Sequence, residues 1–341
     1  MNYIEPEYKK MYSNFQTKGR INKCFFCGKE TGVIMSHSIS EKKCLSLLAE
    51  KTNGNKGVYS FKDVNWSYSN WYQVDGFGDF ELVGLNKAST FKGFCATDDR
   101  NLFKLIDESP FDINSLEQCF LYCYRAFAKA YHTKLEEQKS CESESEYKRR
   151  YIRFVANRKN EIDIGLNLDI KDYPYLMNLC LNRHDYTSIK HIYFKTKSFL
   201  PIASSSFCQP SFSINGNRLN DYKDSNKPLN HIFINIIPEE NCTHILLSCF
   251  KQQEEAKKFL EELETSFILD KNKVGLYLTT LLIFHTENTF MAPSIIENLS
   301  YHTKRMLLLN LRHCVTEGYV RDFFLDNPIR GHLNLFLDKL E

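Results

Sequence analysis

Two cysteines separated by two residues, Cys24 and Cys27, constrain this chain more than any other feature of its sequence. A Cys-x2-Cys turn supplies two ligands to zinc from one tight loop, and a structural zinc ion takes four ligands in a tetrahedron. Residues 21–107 carry many glycines and only short apolar runs, so a core of their own is hard to build. We therefore expect bound zinc to hold the N-terminal part of the chain together.

The sequence offers two ways to complete this zinc site. Cys95 and Asp98 repeat the spacing of the first pair, at a point where a loop turns into a helix. His37 and Cys44 lie nearer along the chain and would complete a compact finger with three cysteines and one histidine. The distant pair predicts a treble-clef arrangement, in which a knuckle and a helix N-terminus hold one ion. The local pair predicts a plain zinc finger.

The order of these residues resembles the HNH endonucleases, which have the ββα-metal fold. After the knuckle, residues 36–40 read Ser-His-Ser-Ile-Ser, which is similar to the Asp-His-Ile-Ile-Pro segment of that family. Residues 95–99 read Cys-Ala-Thr-Asp-Asp and match the family's second ligand pair at the start of a helix. The resemblance covers residues 20–110, about a third of the chain.

The resemblance implies a role for each matching residue. It makes His37 the general base and Asp99 the ligand of a catalytic divalent ion, Mg²⁺ or Mn²⁺. It assigns the structural zinc ion to a set of four ligands: Cys24, Cys27, Cys95 and Asp98. The implied activity is metal-dependent hydrolysis of DNA phosphodiester bonds, for which a neutral histidine is a natural base near neutral pH. By analogy, such a protein would be an effector of bacterial defence against phage, and RNA is the alternative substrate.

The same residues also have plainer interpretations. Asp99 could be a helix cap, since aspartates at a helix start commonly satisfy backbone N–H groups. His37 could be a zinc ligand or a structural histidine. Ser36 stands where the family usually has an acidic or histidine metal ligand. A zinc-stabilised adaptor that binds nucleic acid or protein, with an inactive nuclease site, is therefore the second functional hypothesis.

Charge and hydropathy limit the partners. The 44 basic and 42 acidic residues give a net charge of +2, so any nucleic-acid surface must be local. Arg149, Arg150 and Arg153 lie in the densest basic run, which fits either phosphate contacts or a solvated helix face. The longest apolar run, near 276–284, is too short to cross a bilayer, so we expect no membrane partner. Scattered cysteines without a secretory signal favour reduced thiols and a cytoplasmic location.

The fold expected from these patterns is α+β in two parts. Residues 1–110 form the zinc-stabilised nuclease-like domain, and residues 111–341 form a helical and then mixed α+β domain of unknown role. Regulation, substrate selection and docking of a protein partner through 160–341 are the alternatives for that role. An apolar stripe predicts a helix over 114–131 that faces the core. Strands are predicted at four places: 191–194, 207–214, 231–237 and 243–250. An aromatic insertion at 66–72 could stack on bases, although such residues usually belong to a core.

Overall fold

The computed structural model describes residues 17–52, 54–65, 79–143, 159–222, 224, 226–317 and 333–341. It has a mixed α and β architecture, which is consistent with the α+β class expected from the sequence. The strands are β1 (Val33–His37), β2 (Glu50–Thr52), β3 (Asn55–Asn65), β4 (Asp79–Val83), β5 (Thr90–Cys95), β6 (Ile189–Lys195), β7 (Ile202–Cys208), β8 (Ile232–Glu239), β9 (Cys242–Phe250) and β10 (Thr289–Met291).

Most helices of the described residues follow β5 in the sequence, and one short helical turn precedes it. They are α2 (Ala96–Glu108), α3 (Leu116–Ser143), α4 (Tyr173–Arg183), α5 (Glu254–Leu269), α6 (Lys271–Phe284), α7 (Pro293–Glu297) and α8 (Tyr301–Glu317), after a single helical turn α1 (Ser46–Leu48). The turn α1 continues a π-helical segment at Glu41–Leu45, and a second π-helical segment lies at Gly165–Asp169. None of the helices in the described ranges has both the length and the apolar character needed to span a membrane.

A small antiparallel hairpin and one helix form the N-terminal layer. β1 pairs with β5, so that Val33 lies opposite Cys95 and His37 opposite Thr90. The pairing register shifts after Ile34, and this irregularity turns Ser36 into the protein interior, where it is 2% exposed. α2 begins directly after β5 and packs back on the hairpin. In space, two paired strands and one helix lie together, although β2, β3 and β4 separate the two strands in sequence.

A large antiparallel sheet forms the centre of the molecule. Its strand order is β2-β3-β10-β7-β8-β9-β6, and β4 pairs with β3. The strands β2, β3 and β4, which lie between β1 and β5 in sequence, therefore belong to the same sheet as strands from 189–291. Hydrogen bonds of the large sheet connect strands from before and after residue 110. The division into two domains at that residue stays a prediction.

The central strands are buried on both faces. In β8, Phe233 packs into the core beneath α3, whereas its neighbour Ile234 packs into the core on the opposite face. In β9, Leu246 and Leu247 divide between the two cores in the same way. Successive side chains of a strand point to opposite faces, so a strand that is apolar throughout must lie between two layers. The sheet is the middle layer, with α3 on one side and α5 and α6 on the other.

The predicted apolar stripe of α3 is confirmed over most of its length. Phe120, Tyr124 and Phe127 are fully buried, and the ring of Phe25 from the knuckle packs on Tyr124 and Phe127. The stripe was expected to begin at Leu116, and there the prediction is wrong: this first residue of the helix is 47% exposed. α3 thus joins the knuckle to the large sheet.

Two further expectations are corrected or lie outside the described residues. The strand predicted at 207–214 ends at Cys208, because the chain turns back so that the N–H group of Leu219 bonds to the carbonyl of Ser211. The basic residues Arg149, Arg150 and Arg153 and the aromatic insertion at 66–72 are outside the described residues. Their contact with nucleic acid stays a prediction.

His231 is a buried neutral histidine with a defined tautomer. Its Nδ1–H donates to the carbonyl of Leu229 at 2.9 Å, and the amide of Gln209 donates to Nε2 at 2.7 Å. The imidazole stacks on Phe207 with ring centroids 4.5 Å apart. Burial, helped by the charge of Lys134, lowers the pKa of His231 from its ordinary 6.5 to about 3.

We expect the free energy of unfolding to fall in acid because of His231. Since its folded-state pKa lies below the unfolded one, the unfolded chain takes up the proton first as the pH falls. The contribution of neutral His231 to the free energy of unfolding is complete above about pH 6.5. Below that pH it decreases by about 1.4 kcal/mol per pH unit until the folded-state pKa is reached. Urea unfolding of His231→Gln should therefore show a weaker pH dependence than the unmodified protein between about pH 6.5 and 5. The exposed His184→Gln is the control, and an equal change in both variants would contradict the assignment.

Candidate metal centre and active site

A tight turn positions the first two thiols. The N–H group of Gly28 bonds to the carbonyl of Cys24 at 2.9 Å, and the N–H group of Cys24 bonds to the carbonyl of Lys29 at 2.8 Å. Gly28 has a φ of +73°, a conformation that favours glycine over residues with a side chain. The N–H group of Phe25 bonds to the carbonyl of Gly93, which fastens the knuckle to β5.

The end of β5 and the first turn of α2 supply the other two ligands. Cys95 is the last residue of β5 and the N-cap of α2, and Asp98 lies in the first turn of that helix. The Sγ atoms of Cys27 and Cys95 are 3.9 Å apart, and Sγ of Cys24 is 3.1 Å from Oδ2 of Asp98. The four ligand atoms lie within 4.8 Å of one another.

These four side chains fit a tetrahedral metal ion. Zinc–sulfur bonds of about 2.3 Å place two thiolates of a tetrahedron about 3.8 Å apart, close to the separation of Cys27 and Cys95. Three sulfur ligands and one carboxylate oxygen favour zinc over hard ions such as Mg²⁺. In the part of the chain that the structure describes, this is the group of histidine, cysteine and acidic residues that could hold a metal ion.

The thiols and the carboxylate of this group change one another's pKa values. Burial raises the pKa of the Cys24 thiol to about 12, and the carboxylate of Asp98 raises the pKa of Cys27. Burial also acts to raise the pKa of Asp98, but hydrogen bonds from the thiols outweigh it, and that pKa falls below its ordinary value. A cation in this position would replace the thiol protons, because zinc binds thiolates.

The local alternative with His37 and Cys44 is not formed. Cys44 is buried in the apolar core, within the π-helical segment before α1, and burial raises the pKa of its thiol to about 12. The imidazole of His37 bonds to Leu85 and not to the cysteines. The structure groups the knuckle with the distant pair, as the treble-clef alternative predicts.

His37 lies at the end of β1 with its ring held by two oxygen atoms. Its Nε2 is 3.1 Å from the carbonyl oxygen of Leu85 and 3.4 Å from Oε2 of Glu41. A carbonyl oxygen can only accept a hydrogen bond, so the neutral ring carries its proton on Nε2. The lone pair is then on Nδ1, and the side chain is 21% exposed. A partly exposed histidine with a fixed tautomer can take a proton from water on its free ring nitrogen.

Ser36 and Asp99 each carry a buried oxygen without a hydrogen-bond partner among the described residues. These atoms are Oγ of Ser36, on β1, and Oδ1 of Asp99, in the first turn of α2. A buried oxygen that bonds to nothing is costly, so it often marks an ion or water site. No hydrogen bond or ion pair in the described part joins His37 to Asp99; they lie on neighbouring elements. A carboxylate oxygen, as in Asp99, and a hydroxyl oxygen, as in Ser36, are the kinds of ligand that a hard cation takes.

Arg125 on α3 is a buried cation close to the charge of Asp99, and the sequence interpretation missed it. It is 3% exposed, and its guanidinium forms a two-pronged ion pair with Asp107 at 2.7 and 2.8 Å. It also lies over the ring of Phe103 at 4.0 Å. Burial acts to lower the pKa of Arg125, but Asp107 and the charge of Asp99 raise it. An arginine within the apolar stripe of α3 was the available signal.

The grouping of the site residues rests on geometry. The knuckle, the hairpin and the first turn of α2 bring four metal-binding side chains to one point. Asp99 lies on the helix that carries the ligand Asp98. His37 lies at the end of β1, which supplies no ligand but pairs with β5. Comparison of the chain with protein-family models, with curated proteins and with solved structures found no match.

Proposed function

We propose that this chain is a metal-dependent endonuclease of the HNH type that hydrolyses DNA phosphodiester bonds. The observation that carries the proposal is the arrangement of one metal cluster on a knuckle, a two-stranded hairpin and a helix, with His37 at the end of the first strand. The cluster of Cys24, Cys27, Cys95 and Asp98 holds structural zinc in this proposal. Function follows from a site and not from a fold, so the roles below are argued residue by residue.

The zinc cluster acts at a distance from the reaction. It joins the knuckle to the first turn of α2, and therefore fixes that turn relative to β1. Asp99 directly follows the ligand Asp98, so its position depends on the cluster. Catalytic groups need such support to hold a productive geometry.

His37 takes the proton of the attacking water. With Nε2–H donated to the carbonyl of Leu85, Nδ1 accepts the proton as the water oxygen forms its bond to phosphorus. The bond from phosphorus to the leaving oxygen breaks, and solvent returns a proton to that oxygen. The resulting imidazolium has Glu41 within 3.4 Å, whose carboxylate stabilises the positive charge.

Asp99 and Ser36 provide the oxygen atoms for the second ion. A divalent ion, when bound, neutralises charge on the scissile phosphate and on the leaving oxygen. The unpartnered Oδ1 of Asp99 and Oγ of Ser36 are the chain's own atoms for holding it. The charge of Asp99 acts on the buried guanidinium of Arg125 and raises its pKa.

Incubation of the purified protein with supercoiled plasmid DNA tests the proposal. Nicked and linear products should form with added Mg²⁺ or Mn²⁺. They should not form when these ions are removed by a chelator that binds zinc only weakly. A parallel reaction with single-stranded RNA decides between the two substrates. Zinc-loaded protein that binds DNA but cleaves neither substrate with either ion would overturn the proposal in favour of the adaptor, which the hydroxyl ligand at Ser36 motivates.

A further inference from the structure

A polar cleft of about 790 Å³ lies between the small hairpin layer and the large sheet. Its walls are the turn 84–90 between β4 and β5, the middle of α3, and parts of β7 and β10. This volume falls in the range of small-molecule sites, about 300–1,000 Å³. The proposed hydrolysis has not used this cleft, although the turn 84–90 contains the carbonyl of Leu85 that holds His37.

Lysines from several elements belong to the lining of the cleft. Lys87 and Lys56 are exposed residues of its lining, and the pairing of Val58 with Val83 brings the start of β3 beside the turn that carries Lys87. From the opposite wall, Lys129 donates to the carbonyl of Thr90 at 3.3 Å. Side chains from three separate elements thus place positive charge around this turn. Such a cluster favours an anionic group, above all a phosphate ester.

The rest of the lining suits the remainder of a nucleotide. Glu81, Glu137 and Glu287 also belong to the lining, and their charges oppose a second anionic group. Amide and hydroxyl groups such as those of Asn86 and Ser206 can exchange hydrogen bonds with a sugar or a base edge, and Phe290 adds apolar surface. A ligand with phosphate at one end and a polar, flat group at the other matches this division.

The cleft is directly connected to the segment that carries His37. Ser89, in its wall, has its hydroxyl 2.6 Å from the hydroxyl of Ser38, the residue after His37. Asn288, in the facing wall, donates to the same Ser38 hydroxyl at 2.8 Å and to the carbonyl of Ser205 at 2.7 Å. These groups are buried, so their hydrogen bonds are costly to break. A ligand in the cleft would touch both residues that hold Ser38.

We infer that this cleft binds the phosphate ester of a nucleotide, with the phosphate at Lys56, Lys87 and Lys129. Two sources carry this chemistry: a free nucleotide, and the backbone of a nucleic-acid strand next to the cleaved bond. Binding itself does not depend on the proposed hydrolysis. Only the coupling to His37 rests on the proposed function.

Isothermal titration of the full chain without added divalent ions tests the inference. The probes are ATP, adenosine, and a short single-stranded oligothymidylate. The double variant Lys56→Ala/Lys87→Ala is expected to bind the phosphate-bearing probe about tenfold more weakly or worse, because two charge-assisted contacts are lost. Both lysines are exposed, so the variant should fold normally. Lys171→Ala, an exposed lysine outside the cleft, is the matched control.

Each outcome of the titration supports or overturns the inference. Binding of ATP that weakens in the double variant supports a free-nucleotide site, and the same behaviour with the oligonucleotide alone supports a groove for the substrate strand. Adenosine should bind no better than the background in either case. Absence of binding by both phosphate probes, or equal weakening by the control, would overturn the inference. His37→Ala should bind as the unmodified protein does, so a failure of the nuclease proposal leaves this test readable.

Discussion

Replacement of Cys95 by alanine is expected to remove zinc from the protein and to unfold its N-terminal layer. The cluster joins the knuckle to the first turn of α2, and the loss of a thiolate leaves only three ligands. Structural zinc contributes about 10–16 kcal/mol to the folding of zinc-finger peptides. The knuckle also packs through Phe25 on α3, so its release disturbs the core beneath the large sheet. Metal content by mass spectrometry and thermal unfolding measure the two effects.

Cys44→Ala is the matched control for the loss of zinc. Its thiol is buried in the core away from the cluster, so the variant should keep about one zinc ion per chain. It should lose only about 1 kcal/mol of stability, from the atoms removed and the small cavity. If Cys44→Ala lost zinc while Cys95→Ala retained it, the metal would belong to a local finger and the split arrangement would be wrong.

Replacement of His37 by alanine is expected to reduce DNA cleavage by about 10²–10⁴-fold, the usual contribution of a positioned general base. The variant loses the imidazole whose Nε2–H bonds to the carbonyl of Leu85 and whose Nδ1 is the proposed proton acceptor. Since the side chain is partly exposed and no zinc ligand, zinc content and unfolding temperature should stay unchanged. Single-turnover cleavage of a labelled duplex with saturating Mg²⁺ measures the chemical step.

Asp99→Ala and His184→Ala complete this test. Asp99→Ala should also lose cleavage, and raised Mn²⁺ should restore part of it if the carboxylate holds the second ion. His184 is an exposed histidine beyond the end of α4, and its replacement should have no effect. Full cleavage by both His37→Ala and Asp99→Ala would show that the active site lies elsewhere.

Ligand spacing made the metal cluster predictable from the sequence. Two residues lie between Cys24 and Cys27, and two lie between Cys95 and Asp98. This spacing lets both members of a pair bind one ion from a single turn. The strands β6, β8 and β9 and the helix α3 were predictable for a similar reason, because apolar periodicity follows from local geometry. The choice between the distant and the local ligand pair needed the structure.

Contacts between distant parts of the chain were not predictable. Alternation in β3 and β4 shows which residues share a face, but it cannot name β10 as the partner strand. The hydrogen bond from Asn288 to Ser38 joins residues 250 apart, and no spacing in the sequence announces it. The sequence likewise could not show that buried oxygens of Ser36 and Asp99 have no hydrogen-bond partner among the described residues, because this depends on the tertiary structure.

The pairing of β3 with β10 has a consequence for the order of events during synthesis. β3 lies in sequence between the two strands of the small hairpin. One of its edges pairs with the nearby strand β4, but the other pairs with β10, where Tyr59 lies opposite Met291. Proteins are made from the N-terminus, and domains with local contacts can fold while the ribosome is still working. Here the knuckle, the histidine and the aspartate are all made early, but the sheet that supports them closes only after most of the polypeptide has emerged. A truncated translation product would therefore carry the metal cluster, His37 and Asp99 without the sheet that supports them.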